Sequence, residues 1–223
     1  MERSDKTLVV GGSAGIGKAV ADALGESAIV WSRTSGAQVD AADPGQVEEA
    51  TRQLLAEHGV PWGLVHTIGD FVEEPLLAGS RETFDAMVAS NLGTLLEVVR
   101  AVVPAMVEAG RGRVVLFAAA GAGARRAIRR APVYFAIKAA VVHMARSLAA
   151  EVAEAGVTVN VVSPGLIEHP GSHRESQQRM QHRVPLGRLG TVADVSGLVC
   201  WLLGEESAYV TGEEFTVDGG LQL

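Results

Sequence analysis

The chain has 223 residues, 48% apolar and 20% charged, with a formal net charge of −7. Those values suit a folded domain with a sizeable core, exclude a disordered tail protein, and argue against nucleic acid or an anionic membrane surface as partner. No uninterrupted apolar run approaches the roughly 18 residues of a membrane span, and the polar start Glu2-Arg3-Ser4-Asp5-Lys6 has no signal-peptide core.

Short apolar runs rich in β-branched residues alternate with longer helix-like segments. A strand is expected at residues 7–10, running directly into Gly11-Gly12-Ser13-Ala14-Gly15-Ile16-Gly17 and a helix near 16–25. Glycines at 11, 15 and 17 allow a tight turn and close backbone approach. The helix that follows points free N–H groups and its positive dipole end at a pyrophosphate. The spacing is G-x-x-x-G-x-G, and glycine turns of this kind also occur without a ligand; here the preceding strand and following helix supply the right context.

The second strand, 28–32, ends Val30-Trp31-Ser32-Arg33, with no carboxylate to hold the ribose 2′-hydroxyl of NAD. Ser32 can hydrogen-bond a 2′-phosphate and Arg33 can pair with it, so NADP(H) is the expected cofactor. Residues 33–36 alone join this strand to the next, at 37–39, too few for the usual crossover helix. Deletion of that helix is the reading adopted, because Asp40 and Asp43 then fall at a strand end and a helix cap. Helices are expected near 44–58, 81–108, 133–155 and 191–203, and further strands at 63–67, 113–118, 157–162 and 214–217. The lone Cys200 lies in an apolar stretch and reads as a core hydrophobe, so a reduced, cytoplasmic protein is expected. Strands separated by helices imply one doubly wound Rossmann-type α/β domain over 1–223, a seven-stranded parallel sheet flanked by helices. The polar, His- and Arg-rich segment 168–189 reads as a substrate loop.

In Tyr134-Phe135-Ala136-Ile137-Lys138, a phenol and an ammonium stand four residues apart on one helical face. A cation beneath the ring would favour the phenolate and lower the tyrosine pKa, which suits a general acid handing a proton to a carbonyl oxygen. The same spacing occurs in ordinary exposed helix pairs; the glycine turn at the head of the chain gives it weight.

Together these motifs resemble the short-chain dehydrogenase/reductase family, most of all its 3-oxoacyl-(acyl-carrier-protein) reductases and related ketoreductases, over nearly the whole length. Val39-Asp40-Ala41-Ala42-Asp43 is similar to the family's adenine-contacting segment, Ser90-Asn91-Leu92 to the helix with its proton-relay asparagine, and Val157-Thr158-Val159-Asn160-Val161-Val162-Ser163-Pro164-Gly165 to the strand and turn near the nicotinamide. Val184-Pro185-Leu186-Gly187-Arg188-Leu189-Gly190 and Val217-Asp218-Gly219-Gly220 complete the match. The resemblance implies catalysis by Tyr134, Lys138 and Asn91. It implies cofactor contacts from Gly11, Ser13, Gly15, Ile16, Gly17, Ser32, Arg33, Asp40, Gly69, Lys138, Pro164, Gly165 and Ile167. It also implies a small or acyl-carrier-bound substrate and a homotetramer or homodimer. No metal site is expected, since His169 and His173 lie in a loop without i, i+4 facing.

The departures are informative. The family's N-N-A-G reads His66-Thr67-Ile68-Gly69, and a threonine after the P-G turn appears as His169. Its catalytic serine aligns with Ala119, with Ala118, Ala120 and Gly121 beside it. Losing one preorganised donor costs on the order of 3–4 kcal/mol, which slows hydride transfer without forbidding it. Thr67, His66, His169 and the arginines 125, 126, 129 and 130 are candidate replacements, and the arginines would suit an anionic substrate. The rival readings are a family member doing a cyclisation or isomerisation, and a non-enzymatic NADP-binding protein.

Overall fold

The computed structural model describes residues 6–124, 127–169 and 178–223. Strands β1 (Thr7–Val10), β2 (Ala28–Ser32), β3 (Ala37–Gln38), β4 (Gly63–His66), β5 (Gly112–Phe117), β6 (Val157–Pro164) and β9 (Glu214–Val217) form one seven-stranded sheet in the order β3-β2-β1-β4-β5-β6-β9. Every pairing in it is parallel, the doubly wound arrangement expected from the alternating pattern. The short strands β7 (Ile167–Glu168) and β8 (Gly190–Thr191) pair separately. Two residues each is too little pattern to read from sequence.

The central strands are apolar on both faces because helices cover both. Leu8, Val10, Leu64, Leu116 and Val159 face α2 (Pro44–His58), α4 (Thr94–Glu108) and α5 (Pro132–Val152). Val9, Val65, Val115 and Val162 face α1 (Gly15–Leu24) and α6 (Val192–Leu203). The segments Arg81–Glu108 and Pro132–Ala155 have the length and mean hydropathy (1.5 and 1.3) of a bilayer span. Their apolar residues Val98, Val102, Val141 and Ala145 instead belong to the core over the sheet. The expected helix over 81–108 comprises α3 (Arg81–Val88), a wider π-helical turn at Ala89–Gly93, and α4. Such turns recur at functional sites, and this one carries Asn91.

The crossover helix between β2 and β3 is absent, as the four-residue connection implies. Its place is taken by a turn folded on Ser32, whose Oγ accepts from the amides of Thr34 (3.2 Å) and Ser35 (2.8 Å) and donates to the Ser35 carbonyl (2.7 Å). Gly36 closes the turn at φ +69°, where a Cβ would run into the Val30 carbonyl. Asp43 then caps α2, accepting from the amides of Gly45 (2.9 Å) and Gln46 (3.2 Å). Because Gly36 combines a positive φ with a backbone collision, Gly36→Ala is expected to destabilise the fold by about 1–3 kcal/mol, read from urea unfolding, with β3 the first element to lose amide-exchange protection.

Candidate active site

Sheet order reverses between β1 and β4, and the loops leaving the carboxyl ends of these strands form the crevice where ligands bind in such folds. β1 feeds the glycine turn, pinned by the Gly11 amide donating to the Trp31 carbonyl (2.8 Å). Gly11 (φ +89°) and Gly15 (φ +53°) sit in the left-handed region. A Cβ at Gly11 would come within 2.6 Å of Thr67 Oγ1, and one at Gly17 would run into the Gly11 carbonyl. The N-cap of α1 is Ala14, with no side-chain cap, so the first amides of the helix are left for an incoming anion. A cradle with uncapped amides and no room for side chains fits a dinucleotide pyrophosphate. Ser13 lines the adjoining groove of about 340 Å³ with Lys18, Ser35 and Gly36, whereas the partly buried Ile16 side chain packs against the core.

At the end of β2 the structure redistributes the expected roles. The Ser32 hydroxyl is committed to its own turn, so the 2′-phosphate reading rests on Arg33, exposed at the turn's tip. Asp40 organises the loop below it, accepting from the Ala42 amide at 3.0 Å. On the other flank, the Gly165 amide donates to the Val217 carbonyl (2.9 Å), and Asp218 presses so close that a Cβ on Gly165 would stand 2.6 Å from its own. Pro164 ends β6, and Ile167 is buried in β7.

The helix α5 places Tyr134 and Lys138 one turn apart, with Lys138 Nζ 5.7 Å from the tyrosine ring centroid. Phe71 and Phe135 meet that ring edge-on, at 4.8 and 5.4 Å between centroids. Lys138 is 5% exposed and donates to the Phe117 carbonyl at the end of β5 (3.1 Å). Burial pushes the Lys138 ammonium down to about 8 and the Tyr134 phenol up to about 12. That upward direction, caused by desolvation, is opposite to the lowering expected from a cation beneath the ring.

Asn91 is buried in the π-helical turn, its Nδ2 donating to the carbonyls of Met87 (3.0 Å) and Asp70 (3.1 Å). That leaves Oδ1 facing Gly69 and Lys138. A Cβ on Gly69 would collide with Asn91 Oδ1 and stand 2.9 Å from Lys138 Nζ, so this glycine permits the two side chains to converge. His66 lies beneath them, 2% exposed; burial first, then the charge of Lys138, pushes its imidazole down to about 3.

Among the described residues, Thr67, His66 and Arg130, three of the expected stand-ins for a hydroxyl at Ala119, have other placements or partners. Thr67 Oγ1 donates to the Val10 carbonyl (2.9 Å) and props the glycine turn. His66 is sealed in the core, and the His169 ring packs on Gly15, its Nδ1 3.4 Å from where a Cβ would be. Arg130 pairs with Glu73 (3.5 Å), and Arg125 and Arg126 lie outside the described residues, as do residues 170–177 of the expected substrate loop, His173 among them. The buried run Ala118, Ala119 and Ala120 meets instead a residue missed in the sequence. Gln222 Nε2 donates to the Ala120 carbonyl (3.3 Å), and its side chain fills the space beside Gly121. Nothing local in the sequence joins positions a hundred residues apart; only the C-terminal turn closing on β6 does so.

The family model described as Enoyl-(Acyl carrier protein) reductase matches residues 11–222. The 3-oxoacyl-[acyl-carrier-protein] reductase FabG of Escherichia coli (strain K12) is 30% identical, over 97% of this chain and 96% of its own length. A short-chain type dehydrogenase/reductase from Mycobacterium ulcerans superposes with a TM-score of 0.89 at 27% identity, covering 99% of this chain and 91% of that one. ElxO with NADP bound has the same fold, with a TM-score of 0.90 at 23% identity, over 98% of this chain and 99% of that one. On a family model spanning residues 11–222 and a relative 30% identical over nearly the whole of both chains, this chain belongs to the short-chain dehydrogenase/reductase family.

Proposed function

We propose that the protein is an NADP(H)-dependent reductase of a carbonyl or imine, in which Tyr134 donates the proton, Lys138 stabilises the phenolate that remains, and Asn91 anchors the relay behind them. The observation that carries this reading is the convergence of the partly buried Tyr134 with the buried Lys138 and Asn91 at the carboxyl edge of the sheet. When bound, the cofactor supplies the hydride. The chain's own residues hold it: the Gly11–Gly17 turn takes the pyrophosphate, Arg33 the 2′-phosphate, and Gly69, Pro164, Gly165 and Ile167 the nicotinamide end. Relatives named as 3-oxoacyl-[acyl-carrier-protein] reductases support a carrier-bound substrate. Charge supports an anionic one less, since Arg130 is already paired with Glu73.

With its pKa pushed up to about 12, Tyr134 carries its proton at neutral pH, the form in which it can donate to a developing alkoxide. We read residues 168–189 as the substrate loop of a single domain. A homotetramer or homodimer is supported by the partly exposed Phe84, Leu96 and Val107 along α3 and α4.

NADPH is expected to bind at least about tenfold more tightly than NADH, and Arg33→Ala to erase most of that difference, since one charge-assisted contact is worth this much. Fluorescence titration of both cofactors checks it, and equal affinities in the wild type would exclude Arg33 as the selector.

Tyr134→Phe should lower kcat at least about 100-fold in NADPH consumption on a ketone panel, with cofactor affinity nearly unchanged. Ala119→Ser measures what the missing hydroxyl is worth. A gain approaching 100-fold means nothing has replaced it; a neutral or harmful effect means another donor has.

Lys138 has a lower pKa in the folded chain (about 8) than in the unfolded one (10.5), so the unfolded chain holds more protons in between. Stability from this group therefore rises with pH through that window. Between pH 8 and 9.5 the cofactor-free wild type should gain up to ~2 kcal/mol relative to Lys138→Met, from parallel urea titrations.

A further inference from the structure

We propose that His169 is a proton-coupled ligand of the cofactor's diphosphate: protonated as the cofactor docks, its imidazole joins the amides of α1, so the chain holds its cofactor more tightly as pH falls. The proposal deepens the cofactor reading above and rests on it.

The backbone fixes where the ring sits. β7 leaves the Pro164-Gly165 turn and pairs with β8, Glu168 standing opposite Thr191, and the Gly190 amide donates to the Leu166 carbonyl (2.9 Å). Ile167 is 4% exposed and shares a core with Val20 of α1 and Val195 of α6. A strand anchored in this way delivers the next residue, His169, to the start of α1. Its ring atoms Nδ1, Cε1 and Cγ lie 3.4, 3.7 and 3.7 Å from where a Cβ on Gly15 would stand. The ring therefore covers the first residue of the helix and takes the space a side chain there would need.

That residue is also where an anion would be received. Helical bonding in α1 begins with the Lys18 amide on the Ala14 carbonyl (3.0 Å), and Ala14 has no side-chain cap for the amides of Gly15, Ile16 and Gly17. Because 3.4 Å separates His169 Nδ1 from the Cβ position of Gly15, that nitrogen is within about 6 Å of the Gly15 amide nitrogen. One phosphate oxygen accepting from both groups, at about 2.9 Å from each, spans such a gap.

Charge decides when the second bond forms. The free helix start carries a partial positive charge, which works against an imidazolium beside it. A diphosphate brings two negative charges to the same place and reverses that bias, so the bound ring holds a proton more strongly than the free one. The extra grip is therefore complete at low pH and is lost as pH rises through the range where the bound ring gives up its proton. Of the charged groups around the ring, Lys18 and Asp22 on α1 pair with each other. Asp194 at the start of α6 is held ionised, well below the usual carboxylate range, by hydrogen bonds from Arg188 and Thr191. Glu168 is the charged neighbour on β7. Carboxylates, lysines and arginines keep a constant charge between about pH 6 and 8.5, whereas an imidazole does not. The threonine that the family carries at this position has no charge to change.

ADP-ribose is the probe, because it keeps the diphosphate and lacks both the nicotinamide and the 2′-phosphate, which itself titrates at about pH 6. Calorimetry at pH 6.0 and 8.5 should show wild-type affinity falling about tenfold across that range, the worth of one unit of proton linkage. Parallel titrations at pH 7.2 in PIPES and in Tris, which differ in ionisation heat, should show protons taken up on binding. H169T should bind at both pH values as the wild type does at 8.5, with no proton uptake. H169R, a permanent cation, should bind tightly at both. H169Q replaces H169T if the latter does not fold. An unchanged pH slope in H169T, or no proton uptake by the wild type, would overturn the proposal. So would a slope seen with NADH but not with ADP-ribose, which would put the ring at the nicotinamide end instead. Absence of binding by ADP-ribose, NADH and NADPH alike would overturn the cofactor reading and the proposal together, whereas binding that ignores pH would overturn the proposal alone.

Discussion

A single buried ammonium organises this molecule. Lys138 carries its charge into the interior with one direct carbonyl partner, and taking an ion out of water costs several kcal/mol unless polar groups gather round it. The surrounding choices follow from that demand. The strand β5 stops at Phe117 so that its carbonyl is free to accept, and Gly69 gives up a side chain so that Asn91 can approach. The helix between β4 and β5 widens by one π-helical turn, bringing the Asn91 amide inward. Tyr134 sits over the result, clamped between two phenyl edges.

The other half of the site is held by absence of bulk rather than by charge. Gly11 and Gly17 admit the Thr67 hydroxyl and one another's backbone, and Ala14 leaves the helix start uncapped. The two halves meet because sheet order reverses between β1 and β4, which opens a crevice that no single strand or helix could form. Removal of the β2–β3 helix does not disturb this. The Ser32 turn and Gly36 carry the chain across in its place, and the groove so opened borders the glycine turn.

Departures from the family pattern fall into two groups with different physical meaning. Those in the His66–Gly69 stretch are compensated where they stand: Thr67 still ties β4 to β1, and His66 fills the core below Lys138. The alanine run at 118–120 is buried, and the Gln222 amide donates to the Ala120 carbonyl at its end.

The strand and helix pattern, the parallel sheet, the missing crossover helix and the Tyr134–Lys138 pairing are all legible in the sequence, because each depends on neighbours within a few residues or on a hydrophobic period. Local spacing even reports Asp43 as a helix cap. It does not report protonation. A phenol and an ammonium one turn apart look like a lowered tyrosine, and only the desolvation of the folded site turns the shift upward. Nor does sequence separate a serine that could face a phosphate from one spent on its own turn, as Ser32 is, or bring Gln222 beside Ala120. The sequence by itself determined the fold and the residue types that gather at the sheet's edge. Tertiary structure decided which of them are desolvated, which are already engaged, and which distant ones touch, since burial and long-range contact exist only once the chain has closed on itself.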